Sequence, residues 1–266
     1  MCFNNSPCIR AVESYRNVKS VGVRGIKIVF WGTSAGVPCA ERKYSCTMLQ
    51  IGDSCYFVDM GMIVEHKIVE RNIDVKAIKG VFITHMHCDH TSGLPSFIYL
   101  SDCYFNAHSL NVFLPHEQAV SNLKNWIDCN RIDNTDCSEL KIGLNAYSKG
   151  EIFNDGVVTV KATPNRHVPN SYSLLVKAEG KNIIFTGDIS NPKRDFPVEF
   201  LNEKIDLLVC ESAHFSPNEY MHIFESFDIE KICFNHYSAS RVVELNELKQ
   251  KLGNIEITTD EFEIEI

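Results

Sequence analysis

The sequence lacks the closely spaced cysteine pairs and the long hydrophobic stretches that mark several common classes of protein. Its 11 cysteines occur singly, with no Cys-x-x-Cys pair, so neither a structural zinc clamp nor a dithiol redox motif is expected. No stretch approaches the roughly 18 apolar residues needed to span a bilayer, and Met1–Pro7 contains no basic segment leading into an apolar run. We therefore expect a soluble, cytoplasmic protein whose cysteines are mostly small buried hydrophobic side chains.

Positive charge and internal repetition are also scarce. The chain has 26 Lys and Arg against 34 Asp and Glu, a net charge of −8, which argues against a broad basic surface for nucleic acid. No repeat, low-complexity tract or Gly/Ser-rich linker divides it. Its 266 residues, 44% of them hydrophobic, suit one large domain. We place this domain at residues 26–266, and residues 1–25 form an N-terminal extension that could support a homodimer contact.

Short apolar runs bounded by turn residues recur along the chain and predict β-strands. These runs are Ile26–Trp31, Tyr56–Asp59, Val81–Thr84, Val157–Ala162, Ser173–Val176, Ile183–Thr186, Leu207–Cys210 and Ile232–Phe234. Helical spacing occurs at Ile63–Arg71, Leu94–Tyr104, Glu117–Cys129, Glu219–Phe227 and Val242–Leu252. Residues 178–181 predict a hairpin. The expected fold class is therefore α/β, an α+β sandwich of two mixed sheets with helices on their outer faces.

The clearest chemistry follows the buried strand that ends at Thr84. Residues 85–90 read His-Met-His-Cys-Asp-His and place three imidazoles and one carboxylate on a loop. The first two histidines, two positions apart, can point to one side and bind one metal ion, while the aspartate and the third histidine turn towards another. Two ions need more ligands, and His167, Asp188 and His236 each lie one or a few residues beyond a predicted strand.

This ordered set is similar to the five-part signature of metallo-β-lactamase-fold enzymes. The segments Phe30–Pro38, Phe57–Gly61 and Asn235–Ser238 resemble the ribonuclease Z branch of that superfamily, and the resemblance runs from about residue 26 to residue 236. It implies the metallo-β-lactamase αββα fold. It also implies a hydrolase that holds two divalent metal ions, with zinc as the default and iron or manganese as alternatives.

Carried over residue by residue, the resemblance implies a complete set of metal ligands. One ion is held by His85, His87 and His167, the other by Asp89, His90 and His236, and Asp188 bridges both. Five neutral histidines and two carboxylates would leave the two ions electropositive, which suits an anionic ester and the activation of water near neutral pH. Asp59 would orient the ligand imidazoles.

One departure from ribonuclease Z concerns the transfer RNA substrate. Those enzymes typically carry an inserted arm that grips transfer RNA between the third motif and the bridging aspartate. Only 21 positions (188 − 167) separate His167 from Asp188, and the predicted hairpin occupies them. We therefore do not expect transfer RNA as a partner, and we expect a small anionic ester instead.

A second departure concerns proton transfer. Where the family tends to show a His-Glu dyad, this chain has Cys210-Glu211, and His214 follows three residues later. An imidazole whose pKa lies near neutrality suits protonation of a leaving group, so His214 is our candidate general acid. Glu211 and Asp89 complete the residues that we expect to act in catalysis.

The leading hypothesis is a phosphodiesterase that acts on small substrates such as cyclic or nucleotide phosphodiesters. A hydrolase of carboxylic or sulfate esters or lactones is the alternative, since the fold and the metals serve those chemistries too. A non-catalytic metal-binding regulatory protein is disfavoured by the complete ligand set. Arg42, Lys43, Ser238 and Arg241 are further candidates for contact with an anionic substrate.

Overall fold

The structure, a computed structural model, describes residues 23–37, 39–130 and 139–266. The N-terminal extension as far as residue 22, with the dimer contact predicted for it, lies outside these residues. The strands are β1 Val23–Gly32, β2 Cys46–Gly52, β3 Ser54–Met60, β4 Ile78–Phe82, β5 Asn111–Leu114, β6 Gly143–Ala146, β7 Gly150–Asn154, β8 Val158–Pro164, β9 Tyr172–Ala178, β10 Lys181–Phe185, β11 Ile205–Ser212, β12 Ile229–Tyr237, β13 Ile255–Ile257 and β14 Phe262–Glu265. The α-helices are α1 Glu65–Glu70, α2 Cys88–Thr91, α3 Leu94–Cys103, α4 Glu117–Cys129, α5 Pro192–Asp195, α6 Met221–Phe224 and α7 Val242–Leu252.

Within the described residues, the strands form two mixed sheets of seven strands each. The first sheet has the order β14-β1-β2-β3-β4-β5-β6, and the second has the order β13-β12-β11-β10-β9-β8-β7. Strands β3 to β6 run parallel to one another, as do β10 to β13. The carboxyl ends of neighbouring parallel strands therefore meet at one edge of each sheet.

Alternating side chains on each strand divide the core into layers. On β1, Ile26, Ile28 and Phe30 pack between the two sheets, while Val29 and Trp31 face the helices that cover the first sheet. Successive strand side chains point to opposite faces, so the apolar sequence Ile26–Trp31 is buried on both sides. A third cluster lies between the second sheet and its helices. The resulting helix, sheet, sheet, helix order confirms the predicted fold class.

Several elements follow the sequence pattern closely. Helices α4 and α7 have the predicted bounds. The hairpin of β9 and β10 turns through Glu179 and Gly180, both with positive φ, as a two-residue hairpin turn requires. The segment Glu219–Phe227, predicted as one helix, is a 3₁₀ turn followed by the four residues of α6.

The strand predicted at Val81–Thr84 ends earlier, with β4 closing at Phe82. The backbone N–H of Thr84 donates to the carboxylate of Asp59, 2.8 Å away, in place of a neighbouring strand. The carboxylate of Asp59 thus accepts the hydrogen bond that a neighbouring strand would otherwise accept. The chain can therefore leave the sheet and form the turn at residues 85–90. None of the described helices is long and apolar enough to cross a membrane.

Two glycines allow the turn after β3 to lie directly against residues 85–93. A Cβ atom on Gly61 would lie 1.9 Å from the carbonyl oxygen of Asp89, and one on Gly93 would lie 1.8 Å from that of Met62. Both neighbours are backbone atoms, which cannot move away as a flexible side chain can. Glycine at these positions therefore fixes how closely α2 approaches the end of β3.

We expect Gly61→Ala to lower the free energy of unfolding by about 3 kcal/mol or more, because the added methyl group overlaps backbone. Gly180→Ala is the matched control: it places alanine at a positive φ, with open space around its Cβ, and should cost about 1–2 kcal/mol. Urea unfolding of the metal-free variants measures both values. A smaller loss for Gly61→Ala than for Gly180→Ala would contradict the close approach.

Candidate metal centre and active site

Residues 85–90 form the floor of the candidate site. His85 lies three residues beyond the end of β4, and it is fully buried. His87 is the N-terminal cap residue of α2, and this single helical turn carries Asp89 and His90, both buried. The tight turn explains why the side chains were predicted to face two different metal ions. Residues on the extended stretch face one side, and those on the helical turn face another.

The remaining predicted ligands come from the second sheet. His167 lies in the turn after β8, Asp188 lies just beyond β10, and His236 lies at the end of β12. Asp188 and His236 therefore stand at the carboxyl ends of strands that are parallel to one another and separated only by β11. The site is assembled between the two sheets, and both sheets contribute to it.

The first predicted ligand group is compact. The Nδ1 atom of His87 and the Nε2 atom of His167 are 3.2 Å apart. The Nε2 atoms of His85 and His167 lie 3.8 and 3.7 Å from Oδ2 of Asp188. These four residues offer ligand atoms within 4.8 Å of one another, a spacing at which they could hold one metal ion.

The second predicted group shares the same aspartate. Nε2 of His236 lies 3.0 Å and Nε2 of His90 lies 3.6 Å from Oδ2 of Asp89. Nε2 of His90 and Nδ1 of His236 lie 3.4 and 3.3 Å from Oδ1 of Asp188. One oxygen of Asp188 thus faces each ligand group, as a bridging carboxylate must.

Several atoms that converge here lack a hydrogen-bond partner among the described residues. They are His85 Nε2, His90 Nε2, His236 Nδ1 and Asp188 Oδ1. Buried polar atoms in proteins are nearly always paired with protein, water or an ion. A set of imidazole nitrogens and carboxylate oxygens left in this state fits metal ions well.

Burial keeps two of the imidazoles in the neutral form that metal ligation requires. It lowers the pKa of His85 to about 2 and the pKa of His167 to about 4. Burial also lowers the pKa of His90, but Asp59 and Asp188 outweigh it and hold that pKa well above its usual value. The same negative potential would favour a cation in place of the proton.

Asp59 supports this arrangement from beneath. Its Oδ2 lies 2.7 Å from Nδ1 of His90, and its carboxylate also accepts hydrogen bonds from the backbone N–H and the hydroxyl of Thr84. The contact fixes the His90 ring so that Nε2 faces the centre. Asp59 therefore occupies the orienting position predicted for it.

Glu211 and His214 form a hydrogen-bonded pair beside the centre. Nδ1 of His214 lies 2.8 and 2.9 Å from the two oxygens of Glu211, and the His214 ring centroid is 4.6 Å from that of His167. The hydrogen bond to Glu211 raises the pKa of His214 above its usual value. The side chain of His214 is 38% exposed, so it can meet a substrate.

Glu211 itself is buried and has no free oxygen to offer. In addition to His214, it accepts hydrogen bonds from the backbone N–H groups of Ile189 and Ala213. It therefore positions His214 next to the segment that carries Asp188. The buried Cys210 packs in the outer helical layer.

The four weaker candidates are engaged elsewhere. Arg42 donates to the backbone carbonyls of Thr33 and Tyr237, and Lys43 lies 3.5 Å from Asp260. Ser238 is hydrogen-bonded to Ser240. Arg241 pairs with Glu244 at 2.8 Å.

Sequence reasoning missed two supporting residues. Thr84 joins Asp59 to the start of residues 85–90, and its position directly before the motif was the available signal. The hydroxyl of Tyr147 donates to the carbonyl oxygen of Ile83 at 2.7 Å. No local pattern marks Tyr147, because its partner lies 64 residues away.

Solved structures with the same architecture show the metallo-β-lactamase fold. The metallo-β-lactamase fold protein YhfI from Bacillus subtilis has a TM-score of 0.72 at 17% identity, covering 91% of this chain and 100% of that one. The human short-form tRNase Z has a TM-score of 0.68 at 19% identity, covering 90% of this chain and 99% of that one. At these identities the likeness establishes the fold alone.

Sequence comparison supports the same superfamily. A ribonuclease Z of Exiguobacterium sp. is 27% identical over 143 residues, which are 53% of this chain and 46% of that protein. The chain thus spans about half the length of this curated relative. The family described as "Anti-Pycsar protein Apyc1" matches residues 26–242, which include every predicted metal ligand. This match covers most of the chain, and the chain therefore belongs to the Anti-Pycsar protein Apyc1 family.

Proposed function

We propose that this protein is a dinuclear metal-dependent phosphodiesterase acting on small or nucleotide substrates. The observation that carries the proposal is the shared carboxylate of Asp188, whose two oxygens face two separate ligand groups. A pair of neighbouring divalent ions clamps the attacking and leaving oxygens of an in-line phosphoryl displacement. The relation to ribonuclease Z sequences points to the same class of bond.

Metal ions bound here would supply Lewis acidity and make water more acidic. His85, His87 and His167 would hold one ion. Asp89, His90 and His236 would hold the other, and both ions would share Asp188. Zinc suits five imidazoles, and iron and manganese remain alternatives. Asp59 would keep His90 in the orientation that ligation needs.

The chain's own residues would complete the proton transfer. The Nδ1 atom of His214 is fixed by Glu211, so Nε2 is the atom left to face a leaving group. The raised pKa of His214 favours the protonated form that a general acid needs. This assignment gives Glu211 a positioning role, since its oxygens are occupied by backbone N–H groups and His214.

Small anionic esters, including cyclic nucleotides, suit this site better than transfer RNA. The hairpin of β9 and β10 occupies the interval between His167 and Asp188, where ribonuclease Z enzymes typically place the RNA-gripping arm. The net charge of −8 also disfavours a long polyanion. We propose that phosphodiester hydrolysis is the chemistry behind the anti-Pycsar role that the family name states, in a cytoplasmic protein that could act as a homodimer.

A substrate panel tests the function. We expect the zinc-, manganese- or iron-loaded protein to hydrolyse bis(p-nitrophenyl) phosphate and 3′,5′-cyclic nucleotides. It should act far more slowly on a phosphomonoester, a sulfate ester, a lactone and a precursor transfer RNA. Preference for the sulfate ester or lactone would favour the alternative hydrolase, and specific 3′-end cleavage of the precursor at a comparable rate would contradict the exclusion of transfer RNA. Hydrolysis of none of them would refute the proposed activity.

Metal analysis tests the ligand assignment. We expect His90→Ala to retain about one ion per chain where the unmodified protein holds two, because the second ligand group loses its buried imidazole while the first stays complete. His222→Ala is the matched control, since His222 is exposed and lies outside both groups. Full occupancy of both sites in His90→Ala, measured by elemental analysis after dialysis, would show that the assignment is wrong.

Leaving-group dependence tests the role of His214. His214→Ala should lower kcat by about 10²- to 10⁴-fold for a phosphodiester with a poor alkoxide leaving group. An activated p-nitrophenyl ester, whose leaving group needs little protonation, should lose much less. The two effects are compared at equal metal content, since His214 is not a proposed ligand.

The outcomes separate three roles for His214. Equal losses for both leaving groups would point to substrate binding or structure, and no loss for either would remove His214 from the mechanism. Glu211→Gln should give a weaker form of the His214→Ala result, because His214 stays in place with a poorer acceptor at Nδ1. In Glu211→Gln the high-pH limb of kcat on which His214 titrates should shift to lower pH, because the hydrogen bond to Glu211 raises the pKa of His214.

A further inference from the structure

The loop between β1 and β2 borders the Asp89 side of the centre. A Cβ atom on Gly36 would lie only 3.4 Å from Oδ2 of Asp89, so this loop passes directly against a proposed metal ligand. The two ends of the loop are joined by a hydrogen bond from the backbone N–H of Ser34 to the carbonyl oxygen of Lys43, 2.8 Å long. The position of the loop therefore shapes the space above the site.

A single carboxylate from the other end of the chain binds both ends of this loop. Oδ1 of Asp260 accepts hydrogen bonds from the backbone N–H and the hydroxyl of Thr33, at 3.0 and 2.9 Å. Its Oδ2 accepts one from the backbone N–H of Lys43 at 2.8 Å. The Asp260 side chain is only 9% exposed, and hydrogen bonds to an ionised acceptor are stronger than neutral ones.

Arg42 adds a second tie between the loop and the metal-binding strand. Its guanidinium donates to the carbonyl oxygens of Thr33 and Tyr237, each at 3.0 Å, and lies 4.1 Å from the centroid of the Tyr237 ring. Tyr237 directly follows His236. The loop is thus fixed between β12 and the turn that leads into β14, with Asp260 as the acceptor at its base.

The segment that carries Asp260 lies outside the region shared with the family. The family match ends at residue 242, whereas Asp260 lies between β13 and β14. The contact joins Thr33 to a residue 227 positions away, next to the pairing of β1 with β14. Its effect is to couple the C-terminal strands to the border of the site.

We propose that Asp260 is a positioning residue: by holding both ends of the β1–β2 loop, it sets where the loop meets a substrate bound at the metal centre. This inference rests on the proposed function for the identity of the substrate. The coupling of Asp260 to the loop is a property of the fold, and it can be measured without any substrate.

Asp260→Ala tests the proposal, with Glu263→Ala as its matched control. Glu263 lies on β14 three residues later and ion-pairs with Lys27 and Arg71 at 2.6 Å each, so its loss weakens the same strand without touching the loop. With bis(p-nitrophenyl) phosphate, Asp260→Ala should raise KM and lower kcat/KM by about ten- to a hundredfold, at unchanged metal content. Glu263→Ala should leave KM within about twofold.

Hydrogen exchange of the metal-loaded proteins gives the readout that needs no catalysis. The amides of Ser34 and Lys43 should exchange at least about tenfold faster in Asp260→Ala and at the unmodified rate in Glu263→Ala. Asp260→Asn should fall between, because its amide oxygen can still accept from Thr33 while its NH₂ group faces the Lys43 N–H.

The outcomes distinguish this inference from the proposed function. Unchanged exchange at Ser34 and Lys43 in Asp260→Ala, or an equal rise in KM for Glu263→Ala, would overturn the positioning role. If the unmodified protein hydrolyses no member of the substrate panel, the proposed function fails by itself, and the exchange measurement still decides whether Asp260 holds the loop.

Discussion

Three buried aspartates at one edge of the fold determine how the rest of the site is arranged. Asp59, Asp89 and Asp188 lie within hydrogen-bond or ligand distance of one another's histidine partners. Burying even one carboxylate is costly unless it is paired, and burial keeps the imidazoles of His85 and His167 uncharged by lowering the pKa of each. A cation bound between the ligand groups would compensate the charges of Asp89 and Asp188 together. The carboxylate of Asp59 is hydrogen-bonded to Thr84 and His90. Asp89 and Asp188, in contrast, direct oxygen atoms at the space between the ligand groups.

The sheet topology explains how distant residues meet this requirement. Asp188, Glu211 and His236 stand at the carboxyl ends of the adjacent parallel strands β10, β11 and β12, so strand order alone brings them together. Asp59 and His85 stand in the same relation on β3 and β4. Because each sheet provides part of the ligand set, the core between the sheets determines the distance between the two halves. The glycine contacts at Gly61 and Gly93 add the close approach that strand order cannot supply.

The sequence was most informative where the physical signal is local. The helix Glu117–Cys129 and the hairpin turn at Glu179-Gly180 follow from periodicity and turn chemistry, and residues 85–90 carry a ligand motif within one turn. Strands β6 and β7 escaped prediction because their side chains are half-buried or exposed at sheet edges and show no clear apolar pattern. The Thr33–Asp260 contact escaped too, since no spacing rule links residues 227 positions apart. Glu211 was identified, but only its hydrogen bonds distinguish positioning from contact with substrate.

Backbone conformation links the site to stability. Asp59 and His236 have φ values of 58° and 52°, in the left-handed region that costs a non-glycine residue about 1–2 kcal/mol. For Asp59, four contacts to Thr84 and His90 offset this strain within the protein. His236 contacts Asp89 through Nε2 at 3.0 Å but keeps a buried Nδ1 without a hydrogen-bond partner, so a cation in the second ligand group would add to the contacts that hold its conformation. Metal binding would then stabilise the folded chain by an amount that grows with the logarithm of the free metal concentration over Kd. We therefore expect metal ligation and folding to be coupled at the second ligand group.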